Sequence, residues 1–539
     1  MSKREYERVP LSEDELLERR DVNSRRARLG LACGVAFCVG AVAYVVTNPT
    51  LPPAKRLAAA SVTGEVTYHE LLEIDSVCSW IEAWEGVDDC ASLAEAKVLK
   101  YVPRKMTTSY DADLVEKAVG SAASDGYLAF NLIYEDESGS LTSSWLVAMA
   151  YDGTVRTMTP LYEGDALHRA AGLKMWDDDE LLLAVGKDTS LDGYAYKWNW
   201  RSGDYAKYST KEIDIHDVQR ANSGASFWAL YHEEFAKVGK DGDVEVGWNA
   251  VEHTPSDDVW DLNHVQLIED DDYAILSSRL TNTIYKVKAA TGAKVWALGG
   301  DDGTFEITDI DGKVYAAGES AWRGQHNAEY IGDDEYAMFD NNYDFSSKES
   351  RLLIVKIDEA AKTANVTFDY STGTYSQVFG DNDRMPTGNM LGCWWPSHTV
   401  TADDDACCKV QEVDRSTSGV AFELQVYGKK TCESGTCDVE EGWLMYSVER
   451  FYEDPMVYDV DCGAERLSFA TANTHKMASD SYGTYKLYDA TGAYVAYGDV
   501  TWKPHWQRSV VDVDYAISNS GTIEVENQYG SAGTWTFTC

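Results

Sequence analysis

Three of the ten histidines in this chain stand at one phase of a repeating strand pattern: His216 in HDVQR, His264 in HVQLI and His326 in HNAEY. Each opens a run of alternating apolar residues that reads as a strand. Imidazole is a nitrogen nucleophile near neutral pH and carries protons over the same range. Arg279 ends the neighbouring run YAILSSR. Its planar guanidinium can grip two oxygens of an anion and keeps its proton. A lone histidine at a strand start is usually structural. Three at one phase, with an arginine beside them, point instead to one shared site for an anion. His232, His253 and His398 do not share that phase and read as structural or surface groups.

Residues at matching phase must come from repeated elements. The segment Asn263–Gly300 reads as four strands, HVQLI, YAILSS, TIYKVK and AKVWAL. The turn Glu269–Asp272 and the turn Ala290-Thr291-Gly292 separate them. Similar units begin near Gly126, Leu173, His216, His326 and Arg384. Six units of about this size predict an all-β chain built on a six-bladed β-propeller of four-stranded blades over 99–456. Innermost strands line a central channel in that architecture, so the three histidines would converge on one axis. The rhythm changes after about Val457, where a small β-sandwich is expected over 457–539. Residues 48–98 read as a stalk and the entry into the first blade. Asp340-Asn341, after EYAMF, reads as a turn.

The composition agrees with a β architecture. Aromatic residues are 12% of the 539, which favours strands over helices. The net charge is −43, and no basic stripe offsets it, which excludes a nucleic-acid partner. Acidic runs such as Asp177–Asp179, Asp270–Asp272 and Asp403–Asp405 lack calcium-loop spacing and read as solvated turns. No metal or cofactor is expected.

Leu29–Val46 carries no charge and is long enough to cross a bilayer as a helix. Arg19, Arg20, Arg25, Arg26 and Arg28 precede it, so the amino end, residues 1–28, is expected in the cytosol, ahead of a signal-anchor helix over 29–47. The rest would then be lumenal or extracellular, as in a single-pass type II membrane protein. Nine of the 11 cysteines follow that stretch, and disulfides are expected, with Cys78–Cys90 and Cys432–Cys437 as local pairs. Asn365-Val366-Thr367 is a glycosylation sequon.

The strings HVQL…YAILSSRLTNTIYKVKAATGAKVWALGG, GQHNAEY…EYAMFDNN…SRLLIVKID and RMPTGNML resemble, in order and spacing, the arylsulfotransferase family. The resemblance covers roughly residues 210–395. It implies transfer of a sulfuryl group from an aryl sulfate donor to a phenol acceptor through a histidine, without a nucleotide sulfate donor. His326 falls at the position of the transiently sulfurylated histidine. His264 and Arg279 fall at sulfate-binding and acid/base positions, and His216 at an earlier channel histidine. Gln266, Asn327 and Trp322 are the expected substrate contacts. Two positions depart from the family: Gln266 stands where Asn is common, and Leu280 where His is common. The alternative is a non-catalytic propeller serving as a membrane-anchored binding or scaffold protein. A third reading makes the histidines ligands of a metal-dependent hydrolase or lyase.

Overall fold

The computed structural model describes most of residues 103–539, with short breaks, together with the strand Val62–Thr67. The stretch Leu29–Val46, the cysteines Cys78, Cys90 and Cys432, the acidic run Asp403–Asp405 and the histidines His232, His253 and His398 lie outside the described residues. Among the described residues no helix is long and apolar enough to cross a membrane.

The described chain is almost entirely β. Successive antiparallel sheets are built from Ala166–Met175 to Asp214, Val218–Arg220 to Asn249, Leu262–Ile268 to Leu298, His326–Gly332 to Ser371 and Asp381–Arg384 to Tyr427. We number these the second to the sixth sheet. The first sheet is composite. Its outer strands are Tyr127–Glu135, Leu141–Ala150 and Val155–Pro160, and its inner edge is supplied from far along the chain by Gly442–Leu444 and Val448–Phe451. The unit expected to start near Gly126 therefore begins on its second strand. Lys105–Tyr110 joins the outer edge of the sixth sheet, not the first, and Val62–Thr67 pairs with it. In the fourth sheet the four strands fall at Leu262–Ile268, Tyr273–Ser278, Thr283–Lys288 and Lys294–Leu298, as the turn residues predict.

These strands are buried on both faces, so alternate side chains enter different cores. In the strand Tyr273–Ser278, Ile275 packs toward the fifth sheet, while Ala274 and Leu276 pack toward the third. Each neighbouring pair of sheets shares such a cluster, and the sixth and first share one as well. Inner strands approach closely. A Cβ on Gly172 would lie 2.6 Å from Cα of Asp217, so only glycine fits there.

After Met456 two further sheets form. Met456–Cys462, Leu467–Ala472 and Ser509–Val513 make one, and Ser481–Asp489, Tyr494–Trp502, Ser520–Glu526 and Ala532–Thr538 the other. Both contribute to one core that includes Leu467, Phe469, Leu487, Val500, Ile523 and Val525. A disulfide joins Cys462 to Cys539 across 77 residues, a pairing that spacing alone had not suggested. Asn365 of the sequon is exposed on the strand Thr363–Ser371 of the fifth sheet, where Glu306–Thr308 pairs alongside it in parallel.

Closure of the first sheet depends on Asn131. It is fully buried, accepts from the backbone N–H of Tyr446 and Ser447, and donates to the carbonyl of Ala170 at 2.6 Å. Asn131→Ala strands three buried backbone groups, and we expect it to lower the unfolding free energy by roughly 3 kcal/mol in urea titrations. A midpoint equal to that of the unaltered protein would show that this amide carries no part of the closure.

Candidate active site

His216, His264 and His326 line one cavity, together with Asn327, Asp217, Asn263, Asp381 and Tyr446. The convergence expected from their phase is therefore present. His264 and His326 stand at irregularities of their inner strands, whereas His216 lies in the turn just before Val218–Arg220, beside a slip in the second sheet. The pairing slips by one residue between Leu262 and His264, between His326 and Glu329, and between Ala170 and Leu173. Such bulges turn a side chain off the regular alternation. Asn327 sits in the fifth-sheet bulge with φ +45°.

Each imidazole is gripped at Nδ1. His216 pairs with Asp214 at 2.5 Å, His264 with Asp217 at 2.8 Å, and His326 with the Asn341 amide oxygen at 2.7 Å. These partners place the Nδ1 proton and turn Nε2 of each ring the other way. Nε2 of His264 has no hydrogen-bond partner and lies 3.8 Å from Glu329. Nε2 of His326 accepts from the backbone N–H of Phe379 at 3.3 Å. Burial, then the charge of Arg279, holds the His326 ring down to about 3, so it stays neutral.

Arg279 does not itself line the cavity. Its Nε donates to Asp261 at 2.5 Å, and Nε2 of His216 lies 4.0 Å from the other oxygen of that carboxylate. Burial would raise Asp261, but Arg279, His216 and His326 outweigh it and hold the acid at about 2. Asp261 thus joins Arg279 electrically to two of the histidines. Tyr446 closes the cavity from the first sheet, with its ring centroid 6.0 Å from His216 and 6.3 Å from His326.

Two expected contacts stand elsewhere. Gln266 spends its amide on the backbone of Tyr330, accepting at 2.7 Å and donating at 3.0 Å, and touches His505 at 3.2 Å. It ties the fourth sheet to the fifth. Trp322 is a core residue, 1% exposed, whose indole donates to the carbonyl of Asn282. Neither lines the histidine cavity, because one faces the next strand and the other the packing between sheets. Asp214, Asp217, Asp261, Asn341 and Tyr446 were not anticipated. The acids flanking the histidine in DIHD were a readable signal. Tyr446 had none, since it arrives through closure of the first sheet.

Residues 233–435 match the arylsulfotransferase (ASST) family model. That segment holds His264, Arg279 and His326, while His216 precedes it and Tyr446 follows it. The family match supports aryl sulfotransferase activity in general. Among solved structures, the chain is similar to the β-propeller domain of Cps50 (Swd1) from Myceliophteria thermophila, with 11% identity, 60% of this chain and 97% of that chain covered, and a TM-score of 0.33. It is also similar to a putative 6-phosphogluconolactonase from Bacteroides uniformis, with 12% identity, 61% and 94% covered, and a TM-score of 0.33. No curated protein matches the chain.

Beyond the histidines lies a buried charge cluster, of which only Glu329 and Asp383 fall within the matched residues. Lys174 lies 3.2 Å from Glu329 and 3.3 Å from Glu449. Lys476, from the carboxy-terminal sheets, lies 2.7 Å from both Glu329 and Asp383. Burial, helped by Glu329 and Glu449, lifts Asp383 to about 7 against the pull of Lys476. Removing the ammonium leaves carboxylates without their partner, which typically costs about 3–5 kcal/mol. We expect Lys476→Met to destabilise the protein by that order, and more strongly above the Asp383 value of about 7 than below it, where protons replace the lost charge. Denaturant unfolding on either side of that pH checks this, and a loss independent of pH would contradict it.

Proposed function

We propose that the six sheets are the blades of a propeller over 99–456, capped by a small sandwich over 457–539, and that the channel transfers a sulfuryl group between phenols. One observation carries the reading: three imidazoles from the third, fourth and fifth sheets, each gripped at Nδ1, meet in one cavity beside the Arg279–Asp261 pair.

In the first half-reaction, the Nε2 lone pair of His326 attacks the sulfur of an aryl sulfate. The S–O bond to the arene breaks, and its electron pair leaves on the phenolate. His216, backed by Asp214, supplies the proton that the phenolate takes up. In the second half-reaction a phenol oxygen attacks sulfur, its proton passes to His216, and the S–N bond pair returns to Nε2. Splitting one displacement into two gives ping-pong kinetics. His264, fixed by Asp217, holds the sulfuryl oxygens as charge develops, and Arg279 acts from behind the cavity by anchoring Asp261 beside His216. His326 enters uncharged, so the ring supplies its lone pair without first shedding a proton.

The purified protein is expected to move sulfate from a chromogenic aryl sulfate to a phenol, and to gain one sulfuryl group on the peptide containing His326. His326→Ala should abolish both, and His264→Ala should lower kcat/KM by about 10²–10³-fold. Because His326 is held at about 3, the rate should show no acid limb from this ring above that value. A folded protein that turns over no aryl sulfate would leave the second reading, a binding propeller. The small cavity, about 10 Å³, is the observation in that reading's favour.

A further inference from the structure

Asn341 follows the strand Glu335–Asp340 and is fully buried. Its amide works in two directions. Oδ1 accepts from Nδ1 of His326, while Nδ2 donates to the carbonyls of Ser376 at 3.0 Å and Phe379 at 2.8 Å. Phe379 in turn donates its N–H to Nε2 of His326. The ring is therefore held at one nitrogen by Asn341 and at the other by a strap that Asn341 ties down. Ser376 is fastened a second time, through Ser350, whose Oγ accepts its N–H at 2.8 Å.

The strap is under backbone constraint. Phe379 has φ +66°, the left-handed region that a bulky residue rarely occupies. Gly380 follows at φ +114°, and a Cβ there would lie 2.3 Å from the Phe339 ring. The Phe379 ring lies 4.9 Å from Tyr446, which lines the histidine cavity, and 6.4 Å from Trp395. That cavity has room for about one water.

We propose that Asn341 is a positioning residue that fixes Nε2 of His326 as the attacking nitrogen and, through the same amide, holds Phe379 across it as a gate. The chemical identity of the group that passes the gate rests on the sulfuryl-transfer reading; the gate itself does not. A bond from Nε2 to sulfur uses the lone pair that now accepts the Phe379 N–H. The three sulfuryl oxygens also need more space than this cavity offers. Loading therefore requires the 376–380 strap to move away, and its return shields the sulfo-histidine from water.

Diethyl pyrocarbonate tests this on the whole protein without any sulfate. The neutral imidazole nitrogen attacks a carbonyl of the reagent, ethyl carbonate leaves, and mass spectrometry reads the ethoxycarbonyl group on the His326 peptide. Unaltered protein should label slowly. Phe379→Gly keeps the left-handed backbone and removes the ring, and should label about tenfold faster or more, as expected when local opening limits access. Equal rates overturn the gate. Asn341→Asp still accepts from Nδ1 but puts a carboxylate beside the ring, which raises its proton affinity. Arg279, Asp261, His216, Asp381 and the Tyr446 hydroxyl also face this ring or its cavity and are unchanged by the substitution. The variant should therefore lose reactivity as pH falls through the neutral range, where the unaltered protein stays flat. It should also label faster at high pH, having lost both bonds to the strap. An absent acid limb overturns the positioning role. Labelling as described in a protein that transfers no sulfuryl group would retain the gate and remove the sulfotransfer reading.

Discussion

Apart from Ala166–Met175, which Tyr162–Glu163 also pairs in part, the inner strand of each of the six sheets has a strand partner on one side only, so the backbone groups of its other side need partners from elsewhere. Buried N–H and C=O groups without partners are expensive, and an exposed strand edge is a liability. In this protein the next sheet supplies the missing bonds through side chains. Asp217 accepts from Val265, Gln219 from Leu267, Gln266 from Tyr330, and Asp381 from Val448. Asn131 does the same where the ring of contacts closes. Polar residues are therefore obligatory on inner strands that otherwise bury apolar side chains. The same oxygen of Asp217 that accepts from Val265 also holds Nδ1 of His264. One carboxylate oxygen serves both the fold and the site.

That constraint explains which parts were legible from sequence. Strand rhythm and turn chemistry are local, so the fourth sheet could be drawn from Glu269–Asp272 and Ala290-Thr291-Gly292. The hairpin of the fifth sheet turns on Asp333-Asp334, both at positive φ, a pair of acids that tolerates this backbone. The phase of His264 and His326 survived because each stands at a slip of its inner strand, while His216 joins them from the turn ahead of Val218–Arg220. What failed was non-local. The inner edge of the first sheet comes from about 300 residues downstream, and it brings Tyr446. Gln266 looked like a channel donor because its type suits an anion. The unpaired backbone of Tyr330 had the stronger need of it. Trp322 faced the same ambiguity between channel wall and core, and packing decided. Asn341 looked like a turn residue because Asn commonly is one.

The charge of the chain also divides by depth. The net charge of −43 is mostly a matter of the surface. Inside, carboxylates are matched to lysines at the foot of the channel, and Lys476 reaches them from the carboxy-terminal sheets. Asn527 and Thr474 of the same region bond Asp178, and Tyr529 bonds Arg220. The carboxy-terminal sheets are thus bound to the second, third, fifth and sixth sheets by polar contacts, several of them buried. A buried ion cluster of this kind adds little net stability over an apolar plug. It does fix geometry, because each lysine must satisfy two carboxylates from different sheets at once.

The three histidines differ in the charge of the group behind them, and in the reaction proposed above this divides their work. His216 and His264 are backed by carboxylates, the arrangement that lets an imidazole carry a proton during a reaction. His326 is backed by an amide, which orients the ring without inviting charge. A nucleophile must offer a lone pair, so the neutral partner belongs behind the ring that attacks. The proton carriers belong beside it, on neighbouring sheets and out of its line of attack. Burial alone would also keep His326 neutral, but it would leave the choice of nitrogen open. Asn341 makes that choice by accepting the hydrogen bond of the Nδ1 proton, which keeps that proton on Nδ1. In the proposed sulfuryl transfer, the residue type behind each ring, more than the presence of three histidines, is what lets one nitrogen attack while another moves protons.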